Sequence, residues 1–226
     1  MTPVATSSLP SSLASLLLLT DARFPDGTHA HSYGLEAAVT HGRVHDEATL
    51  AAYLRARLWS TGRIEAGAAL LSARGDEPLD VIDAELTIRT PGAVARQTSR
   101  SVGRSLLRTA ARLWPEEPIP RAQGRPPMQP VVLGRVAALA GCSPEEAALC
   151  VTHGLAGAMA TATLRLLGMD PFAVTAVLAD LRDDVAGSAA SIEHLARAAD
   201  LPDTSTPFAE LDPELQHAQE SRLFGS

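Results

Sequence analysis

The 226-residue chain contains no lysine and no asparagine, and all 19 of its basic residues are arginine. A strong nucleotide bias in the coding sequence accounts for such one-sided usage, so single arginines carry less functional weight here than they would elsewhere. Aromatic residues make up 4% and there are two cysteines. The scarcity of aromatics argues against a large β-sheet core, which is built from aromatic and β-branched side chains. Cys142 and Cys150 are too few for a tetrahedral metal site, match no redox spacing, and sit in apolar sequence where a free thiol acts as a small core residue. There is no GxxxxGK[ST] loop and no strand-led GxGxxG, so the chain holds no nucleotide of its own.

What is abundant is small and aliphatic. Hydrophobic residues reach 46%, supplied mainly by Ala, Leu and Val, which favours closely packed helices. A chain of this length buries roughly 70–75% of its unfolded surface and needs no disulfide or metal staple. The net charge of −7 is uneven: residues 1–169 hold 16 Arg against 15 acids, residues 170–226 hold 3 Arg against 11. That balance excludes a general nucleic-acid binder and leaves the acidic C-terminal third as a solvated face or a surface for a basic partner. The run Leu16–Leu19 lacks the preceding positive charge of a signal peptide, and the apolar stretch from Ala147 to Leu167 is broken by His153 and Arg165, a poor membrane span. A cytoplasmic location is expected.

The punctuation is helical almost throughout. Residues 1–12 read as a disordered tail preceding one domain, 13–226. Asp46 caps a helix carrying Leu50, Tyr53, Leu54 and Leu58 on one face. Thr90-Pro91 is read as the start of a long helix ending near Trp114, and Ser143-Pro144-Glu145-Glu146 as a capping box. Asp170-Pro171 opens another helix after the C-capping Gly168, and Asp212-Pro213 the last one, 212–226. Six prolines between Pro115 and Pro130 make a long surface loop. Val131-Val132-Leu133 is the nearest thing to a strand. The expected architecture is all-α, a bundle of about eight to ten helices.

The densest polar stretch is Phe24-Pro25-Asp26-Gly27-Thr28-His29-Ala30-His31-Ser32-Tyr33-Gly34-Leu35-Glu36, a turn leading into a helix. His29, His31, His41 and His45 are imidazoles that suit a divalent metal, but their spacing is irregular and forms no HExxH-type signature. Ser32 with a nearby His and Glu36 or Asp26 lacks the nucleophile elbow of a hydrolase. Arg96, Arg100, Arg104, Arg108 and Arg112 recur every four residues as a slowly winding ridge, either a solvated face or a rim for an acidic partner. Gly154, Ala156, Gly157, Ala158 and Ala160 set small residues along a buried helix, for close packing within the fold or across a dimer. The chain closes on Leu223 and Phe224, apolar residues expected to dock on the bundle or on a partner.

Taken together these segments resemble the urease accessory protein UreF family. The Leu16–Leu19 run followed by Phe24-Pro25-Asp26-Gly27, then His31-Ser32-Tyr33-Gly34-Leu35-Glu36, is similar to its N-terminal signature. Arg96-Gln97-Thr98-Ser99 with Gly103-Arg104-Ser105-Leu106-Leu107 is similar to its central helix, and Ser221-Arg222-Leu223-Phe224-Gly225-Ser226 to its ending. The resemblance runs from about residue 13 to 226 and looks most like an actinobacterial branch. The chain departs from the family pattern at Leu166-Leu167-Gly168-Met169-Asp170-Pro171, where many members carry Pro-Leu-Gly-Gln. It departs again at Gln216-His217-Ala218, where a His-Glu pair is common.

The resemblance implies a non-catalytic all-α homodimer that binds a UreD (UreH) protein, recruits the GTPase UreG and docks on apo-urease. Nickel would pass through the complex along a water-filled passage, GTP would be bound by the GTPase partner, and the chain would have no cofactor. On this reading the partner-binding candidates are Ser32, Tyr33, Glu36, Arg96, Arg100, Arg104, Arg222, Leu223 and Phe224. His29 and His31 are candidates for transient nickel contact. Two other classes stay open: a His-cluster metal-binding enzyme and a helical regulatory protein.

Overall fold

The computed structural model describes residues 11–218 and 223–225, apart from the side chains of His29, Phe208 and Ala209. Eleven α-helices occur among the described residues, with no strand beyond an isolated Ala122–Arg125 bridge. They are α1 (Ser11–Leu19), α2 (Leu35–Thr40), α3 (Glu47–Arg57), α4 (Arg63–Arg74), α5 (Leu79–Ile88), α6 (Ala93–Leu113), α7 (Gln129–Leu139), α8 (Pro144–Leu166), α9 (Pro171–Asp180), α10 (Arg182–Ala190) and α11 (Pro207–His217). α3 and α4 run on through one π-helical turn, Leu58–Gly62, so they act as a single bent rod. The expected all-α class holds.

α4 is the centre of the packing. Ala66, Ala68, Ala69 and Leu70 are fully buried, and the helix lies against α7 and α8. With so few aromatics, the helices close the core by approaching one another. A Cβ added at Gly134 on α7 would overlap the Ala69 carbonyl of α4, and one at Gly103 on α6 would overlap the Pro127 carbonyl. Both glycines are present because backbone touches backbone there.

The local start signals work as read at Asp46, Ser143 and Asp170, each of which accepts a hydrogen bond from an N–H of the first turn. Leu50, Leu54 and Leu58 are buried, and Gly168 takes the left-handed conformation past α8. Other boundaries differ. Ser11 and Ser12 belong to α1, where the Ser12 hydroxyl donates to Glu146, so helix begins inside the segment read as a tail; residues 1–10 lie outside the described residues. α6 begins at Ala93, not at Pro91. The Thr90 hydroxyl turns back to the Leu86 carbonyl, and the Val94 N–H is capped from afar by Glu214 of α11. Val131-Val132-Leu133 is buried helix in α7, which takes Gln129 and Pro130 from the proline loop. The last helix is α11, with Pro213 inside it, and residues 223–225 are not helical; 219–222 and 226 lie outside the described residues.

α8 passes the length and apolarity test for crossing a membrane, but 61% of its apolar window is buried inside the molecule, as for a core helix. Its Gly154 is exposed and its Gly157 half-buried, with open space where each Cβ would stand. The stripe of small residues is therefore split: Ala156 and Ala160 are buried in the bundle, while Gly154 and Gly157 face outward.

Gly134→Ala is expected to force α7 from α4 and destabilise the fold by about 2 kcal/mol or more, measured by urea denaturation. A change below about 0.5 kcal/mol would show that the helices do not depend on this close approach.

Candidate functional site

The polar N-terminal stretch and the C-terminal segment meet. Tyr33 (φ 54°) and Gly34 (φ 88°) are both in the left-handed region, reversing the chain sharply into α2. Gly34 has a second reason to lack a side chain: a Cβ there would stand 2.7 Å from Asp212 Cβ and 2.9 Å from Pro213 Cδ on α11. This contact aims Ser32 and Glu36 at the C-terminal segment.

Glu36 is 6% exposed, and its carboxylate is enclosed by donors. The Leu223 N–H donates to Oε1 at 2.7 Å; the Phe224 N–H (3.1 Å) and Gln216 Nε2 (2.9 Å) donate to Oε2. Ser32 Oγ donates to Gln216 Oε1 at 2.9 Å, and the Gly225 N–H to the Ala30 carbonyl at 2.8 Å. One buried carboxylate thereby fixes α2, α11 and the chain end together; charge-assisted bonds of this kind are the strong ones. Phe224 is buried against the α2–α3–α8–α9 cluster with the Arg165 guanidinium 4.7 Å from its ring centroid, while Leu223 points outward.

α11 is held on the same side by Asp212, which is fully buried and accepts from both terminal nitrogens of Arg43 and, at 3.0 Å, from the Tyr53 hydroxyl. Its opposite face exposes Leu211 and Leu215, which stand one turn apart.

Two cavities lie beside this knot. The larger, about 460 Å³, is lined by Asp26, His31, His153, Gly154 and Phe224 among others. The smaller, about 50 Å³, is lined by Arg57, Thr61, Thr98, Ser99 and Glu210. Tyr33, Glu65 and Gln129 are in the walls of both and form the partition between them. Burial pushes the Glu65 carboxyl up to about 7, with Arg57 opposing. Burial also raises the Tyr33 phenol, and the Glu65 charge adds to that shift. Burial lowers the His31 imidazole from its ordinary value. The Cys150 thiol is pushed up to about 12 by burial and is unreactive.

The structure redistributes the roles of the expected partner-binding residues. Ser32, Glu36 and Phe224 are spent on contacts within the chain, because their polar groups or ring would otherwise be buried without partners. Arg100 is not part of an exposed ridge: its guanidinium pairs with Asp83 of α5 at 2.8 Å and donates to the Pro126 carbonyl, in a site that also binds the Met128 N–H. Arg96 donates to the Thr90 and Pro91 carbonyls. Arg104 and Arg112 remain at the surface, as does Arg108, which bonds Ser105. Tyr33 lines the cavities. Arg222 and the His29 side chain lie outside the described residues. His41 and His45 bond the nearby Ala37 and Gly42 carbonyls. Among the described residues no three of His, Cys, Asp and Glu converge as metal ligands.

Sequence reasoning missed Asp212, Gln216 and Glu65 as structural or cavity residues. Glu65 had a visible signal, a lone acid in the otherwise apolar run Ile64-Glu65-Ala66-Gly67. Asp212 and Gln216 had none, since their partners lie more than 150 residues away.

The UreF family model matches residues 44–182. The urease accessory protein UreF of Mycobacterium marinum is 40% identical over 218 residues, covering 96% of this chain and all of the relative. The chain belongs to the UreF family. The Mycobacterium tuberculosis H37Ra protein of the same name is 42% identical over 182 residues, 79% of this chain and 86% of the relative. A third such protein, from Mycobacterium sp. JLS, is 40% identical over 219 residues, 96% and 100% of the two chains. All three are mycobacterial, in keeping with the actinobacterial likeness, and all are named as accessory proteins rather than enzymes.

Glu36→Ala is expected to release the chain end, raising amide hydrogen exchange at Phe224 at least about tenfold; each donor stranded without its acceptor costs about 1–3 kcal/mol. Unchanged protection at Phe224 would refute the clasp. For Glu65, a carboxyl raised in the fold is penalised as it ionises, so its penalty grows as pH rises from its ordinary value of 4.5 through about 7. Glu65→Gln should therefore be more stable than the parent by about 2 kcal/mol at pH 8 and by little at pH 4.5. Equal differences in urea denaturation at the two pH values would contradict this.

Proposed function

We propose that the chain is a nickel-delivery chaperone for urease. In this reading it works in the cytoplasm as a homodimer, bridges a UreD/UreH-type protein and the UreG GTPase, and presents the assembly to apo-urease. It makes and breaks no bonds itself. Nickel is cargo, and GTP belongs to the GTPase partner.

The observation that carries the reading is the two-sided C-terminal segment. Its inner side is pinned by Glu36 and by the Arg43–Asp212–Tyr53 contacts, so α11 is held in a fixed orientation. Its outer side shows Leu211, Leu215 and Leu223, which are 54%, 43% and 57% exposed. Large apolar side chains held rigidly in water on one helix and its extension favour a protein partner. Arg104 and its exposed neighbours on α6 give a basic flank, the remaining part of the ridge available to an acidic surface.

Leu211→Asp with Leu215→Asp should leave the fold intact, because both side chains face water. It should cut co-purification with the UreD-type protein, and urease activation in cells, at least about tenfold. Undiminished co-purification would remove the docking role of α11, and failure of the parent chain to restore urease activation in cells lacking their own copy would remove the chaperone reading.

A further inference from the structure

We propose that the exposed arginines of α6 and of the hairpin closed by Ala122 and Arg125 form one docking face for an acidic surface of a partner protein. The inference rests on the assembly reading above and adds a second contact to it, electrostatic in kind and built from two elements.

The first argument is charge. The whole chain carries −7, yet between Gly92 and Ser143 it holds eight arginines against two acids, Glu116 and Glu117. Arg96 and Arg100 are turned onto the carbonyls and the carboxylate already described, while Arg104, Arg108, Arg112, Arg121 and Arg125 are exposed. None of these five forms an ion pair with a described residue, whereas Arg23, Arg43, Arg55, Arg89 and Arg197 all do. Coding bias explains why each is an arginine. It does not explain why five of them lack a carboxylate in a chain where acids outnumber arginines 26 to 19.

The second argument is how the arginines are held. Gln123 (φ 48°) and Gly124 (φ 77°) are successive left-handed residues, and the Arg125 N–H donates to the Ala122 carbonyl at 2.9 Å. Two such residues in a row make the tight turn of a two-residue hairpin. Ala122, Pro126 and Pro127 are buried; the Pro126 carbonyl accepts from Arg100, and the Pro127 carbonyl lies against Gly103 of α6. Arg125 directly precedes this anchored pair and Arg104 directly follows Gly103, so the close backbones bring hairpin and helix arginines to one surface. Trp114 and Ile119 pack on the cluster around Leu106 and Ala110 and tie down the start of the proline loop. A backbone already fixed loses little freedom when a partner docks on it.

The third argument is the class of partner. A guanidinium fork fits a carboxylate or a phosphate equally well. The border of the patch decides between them. Glu116 and Glu117 stand in the same loop, and most of the remaining chain is acidic, so a phosphate backbone leaving the patch would meet like charge. A folded protein can set a few carboxylates over the arginines and end there. Such a contact steers approach and fixes orientation, complementing the apolar side of α11.

The test is a labelled polyglutamate of about 20 residues titrated with the full chain at about 0.1 M salt, where charges are felt over only about 10 Å and the patch is read rather than the whole molecule. The parent should bind it, and Arg104→Glu with Arg125→Glu should weaken binding at least about tenfold. Arg182→Glu with Arg197→Glu makes the same change in net charge elsewhere on the surface and should alter binding by less than about twofold. Arg104→Gln with Arg125→Gln, which removes charge without reversing it, carries the test if the reversed pair fails to fold. No binding by the parent, equal weakening by both reversed pairs, or tighter binding of an RNA of about 20 nucleotides would overturn the docking face. Any of these in a parent chain that restores urease activation in cells leaves the chaperone reading intact. Binding as expected in a parent that restores no activation keeps the arginine face and sinks the chaperone reading.

Discussion

A carboxylate that loses its water must be given other donors, and the arrangement around Glu36 meets that requirement with the chain's own end. Two backbone N–H groups of the C-terminal segment and the amide of Gln216 converge on it. These contacts join residues 180 or more positions apart, so α2 and the C-terminal segment close over one another only in the finished fold. The site described above follows from this closure: Phe224 walls the larger cavity, and α11 turns its apolar side outward.

A second constraint comes from composition. A core poor in aromatics cannot be filled by large side chains, so the helices approach until small residues touch. Gly134 against Ala69 and Gly103 against Pro127 are the closest of these approaches. α4, lined with alanine, becomes the axis on which α7 and α8 rest. The same helix carries Glu65, which lines both cavities.

The two cavities and the clasp are consistent parts of one machine. Rigid contacts inside let a face outside remain apolar without collapsing onto the bundle. The Arg100–Asp83 pair does similar work at the proline loop, where it binds the Pro126 carbonyl while Asp83 accepts from Met128 N–H. An arginine that looked like part of a binding ridge is a structural strut, because a guanidinium within reach of a buried carboxylate is held there by both charge and hydrogen bonds.

Much of the fold was legible locally. Helix starts at Asp46, Ser143 and Asp170 need only a side-chain oxygen near free N–H groups, and the pattern of Leu50, Leu54 and Leu58 needs only helical spacing. The family motifs, too, are short strings. What the string could not show was the direction of each polar side chain. Ser32 and Glu36 read as partner-binding residues until α11 covered them, and Thr90-Pro91 read as a helix start until Glu214 supplied the cap from 120 residues away. Local hydrogen bonding and periodicity determined the all-α class and the capped helices, and the resemblance of short motifs pointed to the family. The tertiary structure alone decided which polar groups are buried together, because desolvation and close approach depend on partners that sequence distance does not reveal.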